Sequence, residues 1–172
     1  KAEEGLYKNG KRSGKWSCWF LSNKKNFSCV YEEGKRAGNY IEWNSKGKKV
    51  KEIYYSDGKR IKEYLVLKDG SGFMEINKMY GKLDGPWSRW YADGKKEEEG
   101  SYKKGTKIGI WSRYAMNGVV LEEWNFDNKG RNLYEVTYYD NGTVKEYKDF
   151  FSKTVQGYNA DGSLKGDKRP FN

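Results

Sequence analysis

The feature that most constrains this chain is a distance of 24 residues. The stretch from Gly81 reads GKLDGPWSRWYADGK, and the stretch from Gly105 reads GTKIGIWSRYAMNG. Gly81 recurs as Gly105, Gly85 as Gly109, Trp87 as Trp111, Trp90 as Tyr114 and Gly94 as Gly118, each 24 residues on. A fixed period of this length marks a repeat architecture, in which one short supersecondary unit is copied and stacked. The frame is Tyr-x-x-Gly-x-x-x-Gly-x-Trp-x-x-Trp, followed by a turn and a polar strand that leads to the next Tyr. Copies begin at Tyr7, Tyr31 and Tyr55, the third with Lys62 in place of its second glycine. A unit one residue short follows, putting Lys78 in the Tyr slot of the fourth copy. The fifth begins at Tyr102, and the sixth begins at Phe126 and slips by one residue around Lys129-Gly130. The seventh, near Phe150, is degraded and ends in a polar tail. The expectation is one repeat domain over residues 1–172, with about seven units and an atypical last one, as a stack facing water requires.

Each unit reads as a β-hairpin. Turn dipeptides follow the Trp-rich strand at Lys46-Gly47, Asp69-Gly70, Asp93-Gly94, Asn117-Gly118, Asn141-Gly142 and Asp161-Gly162. Asn-Gly and Asp-Gly are strong hairpin signals, and a two-residue turn there needs positive φ at both central positions. No stretch carries sustained helical periodicity, and aromatic and β-branched residues favour strand. The fold class expected is all-β: tandem hairpins in one elongated, twisted antiparallel sheet. Centring hairpins on these dipeptides puts Arg89 opposite Glu98, Arg113 opposite Glu122 and Glu42 opposite Lys51. Facing opposite charges stabilise a ladder by roughly 0.2–1 kcal/mol, so these carboxylates read as structural. The two Trp slots are three residues apart and point to opposite faces in a regular strand. Trp16, Trp87 and Trp111 then line one face, and Trp19, Trp43 and Trp90 the other. Gly14, Gly38, Gly85 and Gly109 are expected to let large rings lie over bare backbone.

Composition supports an elongated assembly over a compact globule. Mean hydropathy is −1.10 and only 35% of residues are hydrophobic, yet aromatics reach 17%. Low hydropathy with high charge favours disorder, but the aromatic load and strict period oppose it. The net charge of +10 admits nucleic acid, an anionic membrane surface or acidic glycans as partners. The lysines are dispersed beside turn glycines, so solvated turns and edge protection account for them better than a dedicated anion site. The absence of histidine removes the commonest general base and His metal ligands. No run approaches the roughly 18 apolar residues of a membrane helix. The chain opens at Lys1 in mid-repeat and reads as a mature or trimmed fragment.

The pattern Tyr-x-x-Gly-x-x-x-Gly-x-Trp-x-x-Trp/Tyr-x-x-x-Gly, recurring from Tyr7 to Asp161, resembles the MORN repeat in its bacterial MORN-2 form, the repeat also of YwqK-type proteins described as antitoxins. The resemblance implies successive β-hairpins in one long sheet, no intrinsic enzyme activity and no cofactor. It also implies service as a scaffold, binding surface or dimerisation module, frequently in exported or lipid-anchored bacterial proteins.

Candidates for chemistry are few. Cys18 and Cys29 are the only cysteines. With Asn23-Lys24 at the centre of the first hairpin they face each other directly, in reach of a disulfide. With Ser22-Asn23 at the centre Cys29 lies two residues off. A bridge implies an oxidising compartment. Two cysteines without histidine make no zinc site. Glu97-Glu98-Glu99 and Glu122-Glu123 are better read as ladder partners than as calcium ligands. No phosphate loop of the form Gly-x-x-x-x-Gly-Lys-Ser/Thr is present. Aromatics interleaved with lysine resemble a single-strand nucleic acid platform, but they recur as repeat anchors, so nucleic acid is not the expected partner. The expected function is a non-enzymatic binding module, exported and at the cell surface or in the periplasm. It would present Trp19, Trp43, Trp90 and Tyr114, with flanking lysines, to a protein partner. Alternatives are an antitoxin or immunity factor, which would be cytoplasmic, and a binder of anionic lipid or glycan.

Overall fold

The computed structural model describes residues 2–67 and 70–172. It divides into two compact units, residues 1–82 and 83–172. The first unit holds β1 (Glu3–Lys8), β2 (Lys11–Trp19), β3 (Lys25–Glu32), β4 (Lys35–Trp43), β5 (Lys49–Ser56), β6 (Lys59–Val66) and β7 (Gly72–Met79). The second is built from β8 (Lys82–Tyr91), β9 (Lys96–Lys103), β10 (Thr106–Tyr114), β11 (Val120–Phe126) and β12 (Asn132–Tyr138). It closes with β13 (Val144–Asp149), β14 (Thr154–Gly157) and β15 (Arg169–Pro170). Within each unit every strand pairs antiparallel with its neighbours in the chain, as an open sheet of consecutive hairpins. No helix occurs among the described residues. The all-β hairpin class expected from the period is the fold observed.

Two turn types alternate along the repeat, and the dipeptides after the Trp-rich strand do not take the two-residue form expected of them. The dipeptides with positive φ at both positions are those that follow Tyr in the frame: Asn9-Gly10, Glu33-Gly34, Asp57-Gly58, Tyr80-Gly81 and Lys104-Gly105. These are the two-residue turns whose twist matches that of the strands. After the Trp-rich strand only the glycine has positive φ, as at Gly47, Gly94, Gly118 and Gly142, and Asn23 does the same in the first hairpin. There Tyr91 N–H donates to Lys95 O and Gly94 N–H to Tyr91 O, closing a three-residue loop. A one-residue register shift follows between Arg89 and Trp90. This is a type I turn with a glycine bulge. The bulge restores the residue that the longer loop removes, so Arg89 still faces Glu98, Arg113 faces Glu122 and Glu42 faces Lys51. The slip near Lys129-Gly130 has the same origin. The extra residue turns the two-residue form into the three-residue one, with Gly130 alone at positive φ. Of the Asp69-Gly70 turn, Asp69 lies outside the described residues.

The second glycine of the frame also differs from expectation. Gly14, Gly38, Gly85 and Gly109 all have φ between 60° and 100°, and a Cβ on Gly14, Gly38 or Gly109 would meet nothing within 4 Å. Gly14, Gly38 and Gly109 shape the backbone and receive no ring. Around Gly14 the register jumps by two residues, since Ser13–Ser17 runs against Leu6–Glu4. The same jump occurs around Gly38 and Gly109. The third repeat has Lys62 in this slot, outside the positive-φ residues, and its jump is a single residue.

That one residue reverses which side chain faces where. Residues directly opposite on neighbouring strands share a face. Ile53, buried, stands between Tyr40 and Glu63. Glu63 thus holds the core position that Trp16 holds in the first repeat. Tyr64, in the Trp slot by simple alignment, faces Glu52 and Glu75 on the other side of the sheet. The missing twenty-fourth residue of this repeat is the missing bulge residue.

Candidate functional site

The core face is a ladder of aromatic rings and cations. Trp16, 4% exposed, meets Tyr7 edge-on at 5.1 Å and Tyr31 at 6.2 Å. Its Nε1–H donates to Leu6 O at 3.2 Å. The Arg12 guanidinium lies 4.2 Å over the Trp16 ring, and its Nη1 donates to the Tyr31 hydroxyl at 3.4 Å. Arg36 repeats this over Tyr40 at 5.1 Å, donating to the Tyr55 hydroxyl at 3.0 Å. In the second unit Trp111 is fully buried, with Tyr102 edge-on at 4.9 Å, Trp87 at 5.3 Å and the Lys107 ammonium 3.8 Å from its ring. Trp111 Nε1–H donates to Ser101 O at 3.3 Å. Cation–ring contacts contribute about 0.5–1 kcal/mol where partly exposed, so the cation after the turn glycine belongs to the packing. The rings lie over glycines the repeat frame does not include. An added Cβ on Gly5 would sit 2.2 Å from the Trp16 ring, and one on Gly100 2.1 Å from that of Trp111. The signal was a glycine two residues before the Tyr slot.

The third repeat substitutes charge for rings. Lys78 Nζ lies 2.8 Å from Glu63 Oε1, with Arg60 Nη1 3.6 Å from the same oxygen. Glu63 is 4% exposed. A Glu–Lys pair therefore stands where Trp16 and Tyr31 stand in the first repeat.

Of the expected cross-strand pairs, Arg113 Nη2 meets Glu122 Oε1 at 2.6 Å and Lys51 Nζ meets Glu42 Oε2 at 3.4 Å. Arg89 faces Glu98 in register, but its Nε lies 2.8 Å from Glu97 Oε2. That N–H is not aimed at the oxygen, so the contact is Coulombic. Glu98 instead takes Lys107 Nζ, at 3.5 Å. The bulge beside Trp90 places two glutamates near one arginine, which strict alternation does not allow.

Cys18 and Cys29 are free thiols. Cys18 faces Phe27 and Cys29 faces Trp16, which is the register centred on Ser22-Asn23. The two cysteines are diagonal and not opposed, and the expected bridge between them is not formed. Burial, the largest influence, pushes the Cys29 thiol up.

The four expected contact residues are half-buried, each by alternation on the face of its own unit opposite the Trp16 or the Trp111 ladder. Across their hairpins Trp19 faces Lys25, Trp43 faces Lys49 and Trp90 faces Lys96. The Lys25 ammonium lies 5.7 Å from the Trp43 ring. Tyr114 departs from this pattern. It faces Val120, and its hydroxyl donates to Glu99 Oε1 at 2.7 Å. Burial raises the Glu99 carboxyl, but hydrogen bonds from Lys96 and Tyr114 outweigh it and hold the group below its ordinary value. Among the described residues no group of three or more His, Cys, Asp or Glu is placed to hold a metal ion.

No protein-family model and no curated protein matches the chain. Among solved structures it is similar to a mutant of S. aureus TarM in complex with fondaparinux, alpha-GlcNAc-glycerol and UDP, at 15% identity and a TM-score of 0.34. That match covers 70% of this chain and 21% of the other. A second crystal structure of TarM matches at 14% identity and a TM-score of 0.33, over 77% of this chain and 21% of that one.

Proposed function

We propose that this chain is a non-enzymatic repeat scaffold of the MORN-2 kind that binds a protein partner through the face of each unit opposite its aromatic ladder. One observation carries the reading: in two hairpins of the first unit and one of the second an aromatic side chain is set opposite a lysine, as Trp19/Lys25, Trp43/Lys49 and Trp90/Lys96. The ladder face spends its rings and guanidinium groups on one another, whereas these pairs set half-exposed rings beside lysines, of which Lys49 is ion-paired with Glu52 and Lys96 with Glu99. Tryptophan and tyrosine rings are among the side chains that dominate protein interfaces. An exported protein at a bacterial surface fits this chemistry, with an aromatic-bearing protein surface as the complement. The test is affinity capture from bacterial and host extracts with the wild-type chain, Trp43→Ala and Trp90→Ala in parallel. A captured protein whose retention falls about thirtyfold or more in either variant supports the reading, since a central interface ring contributes about 2 kcal/mol or more. Capture unaffected by both substitutions would remove the proposed face.

A further inference from the structure

The face reversal in the third repeat opens a groove of about 510 Å³ on the first unit. Tyr54, 48% exposed, and Ile61, 37% exposed, supply its apolar surface beside Tyr64. Asn39, facing Tyr54, and Asn77, facing Lys62, bring amides to the same groove. Its charges neutralise one another. Lys49 Nζ lies 2.7 Å from Glu52 Oε2, and Lys62 Nζ 3.0 Å from Glu75 Oε1. The Lys49 ammonium also covers the Tyr64 ring at 5.0 Å, which leaves Tyr54 as the open ring. The volume lies within the roughly 300–1,000 Å³ of small-ligand sites, where apolar lining is joined by a few orienting polar groups.

We propose that this groove binds a neutral oligosaccharide, with one pyranose ring stacked on Tyr54 and its hydroxyls hydrogen-bonded to the Asn39 and Asn77 amides and the Glu52 and Glu75 carboxylates. A sugar ring has an apolar C–H face and a rim of hydroxyls that both donate and accept. A flat ring bordered by amides and carboxylates matches both. An anionic ligand or nucleic acid needs cations it can claim, and here each lysine already has its carboxylate. A peptide adding as a strand needs a free sheet edge, and β5 and β6 are paired on both sides. The groove lies on the same side of the sheet as the proposed protein contacts and shares Lys49 with them. The sugar site goes beyond that reading because Tyr54, Asn39 and Asn77 are not among those contacts.

The experiment is an amide-detected NMR titration of the full chain with maltotetraose, cellotetraose and chitotetraose, each to about 10 mM, a range that reaches millimolar affinities. The expected result is saturable shifts of the Asn39 and Asn77 side-chain amides with at least one of the three, unchanged between about 0.05 and about 0.5 M NaCl. Tyr54→Ala should weaken that binding about tenfold, equivalent to about 1.4 kcal/mol, while signals from the second unit stay in place. Should Tyr54→Ala perturb the first unit, Ile61→Ser on the same groove wall should weaken binding in the same direction. The proposal is overturned by no saturable shift with any of the sugars, by affinity that collapses with salt, or by unchanged affinity in the variants.

Discussion

At the scale of single residues, the glycines divide by mechanism, and substitution separates them. A Cβ on Gly100 would collide with the Trp111 ring, which Ser101 and Tyr102 hold in place. Overpacking of this kind costs about 1–3 kcal/mol and more where nothing can yield, so Gly100→Ala should lose about 3 kcal/mol in urea unfolding. Gly109→Ala meets no neighbour and carries only left-handed strain at φ 65°, about 1–2 kcal/mol. The reverse order of the two variants would contradict this assignment. The tyrosines make a second prediction. Burial first, and then the Glu42 carboxylate, push the Tyr40 hydroxyl up to about 12. Burial likewise raises Tyr102, Tyr114 and Tyr147. The folded chain therefore keeps protons that the unfolded chain releases near pH 10. Stability from these groups is present below about pH 10 and is lost as pH rises from about 10 to about 12. Phenolate absorbance followed with unfolding by circular dichroism should show a tyrosine fraction that titrates only as the fold is lost. Complete titration near pH 10 in the folded state would oppose the prediction.

At the scale of the element, the Glu63–Lys78 pair marks where one hairpin follows another rule. Removing one partner of a buried pair costs about 3–5 kcal/mol, while replacing both by apolar residues is close to neutral. Lys78 is partly exposed, so the lower end applies. Glu63→Leu alone should cost about 3 kcal/mol, and Glu63→Leu with Lys78→Leu should return to within about 1 kcal/mol of the parent. Additive losses in the double variant would mean that the pair is not coupled. The same hairpin shows what sequence could and could not reveal. Both of its anomalies, Lys62 in a glycine slot and the interval of 23 residues from Tyr55 to Lys78, were visible in the chain. Their joint consequence depends on how many residues a bulge absorbs, and that is a backbone property no side-chain pattern records. The facing of Arg89 with Glu98 was legible despite the wrong turn type, because loop length and bulge offset each other. The ion pair itself was not legible, because the bulge that restores the register also brings Glu97 to Arg89. The cysteine pairing depended on the same single residue, with Asn23 taking the left-handed position that glycine takes in the other hairpins.

At the scale of the molecule, one period yields two unlike faces in each unit. One is consumed by stacked rings and cations, and the other offers partly exposed aromatics beside lysine. The period was enough to expect hairpins in sequence, since each copy needs its neighbour to bury a ring. The division of labour between faces came only with the register, because aromatics occupy both Trp slots. Neighbours in sequence can test that division sharply: Tyr54 is exposed on the groove side, and Tyr55, 4% exposed, is in the core. Hydroxyl-radical footprinting resolved to single side chains measures the partition in one experiment. The structure predicts slow oxidation at Trp16, Tyr31, Tyr55 and Trp111, and fast oxidation at Tyr54 and Tyr80. Equal rates at Tyr54 and Tyr55, or oxidation of Trp16 and Trp111 as fast as that of Trp19 and Trp90, would contradict the two-faced repeat.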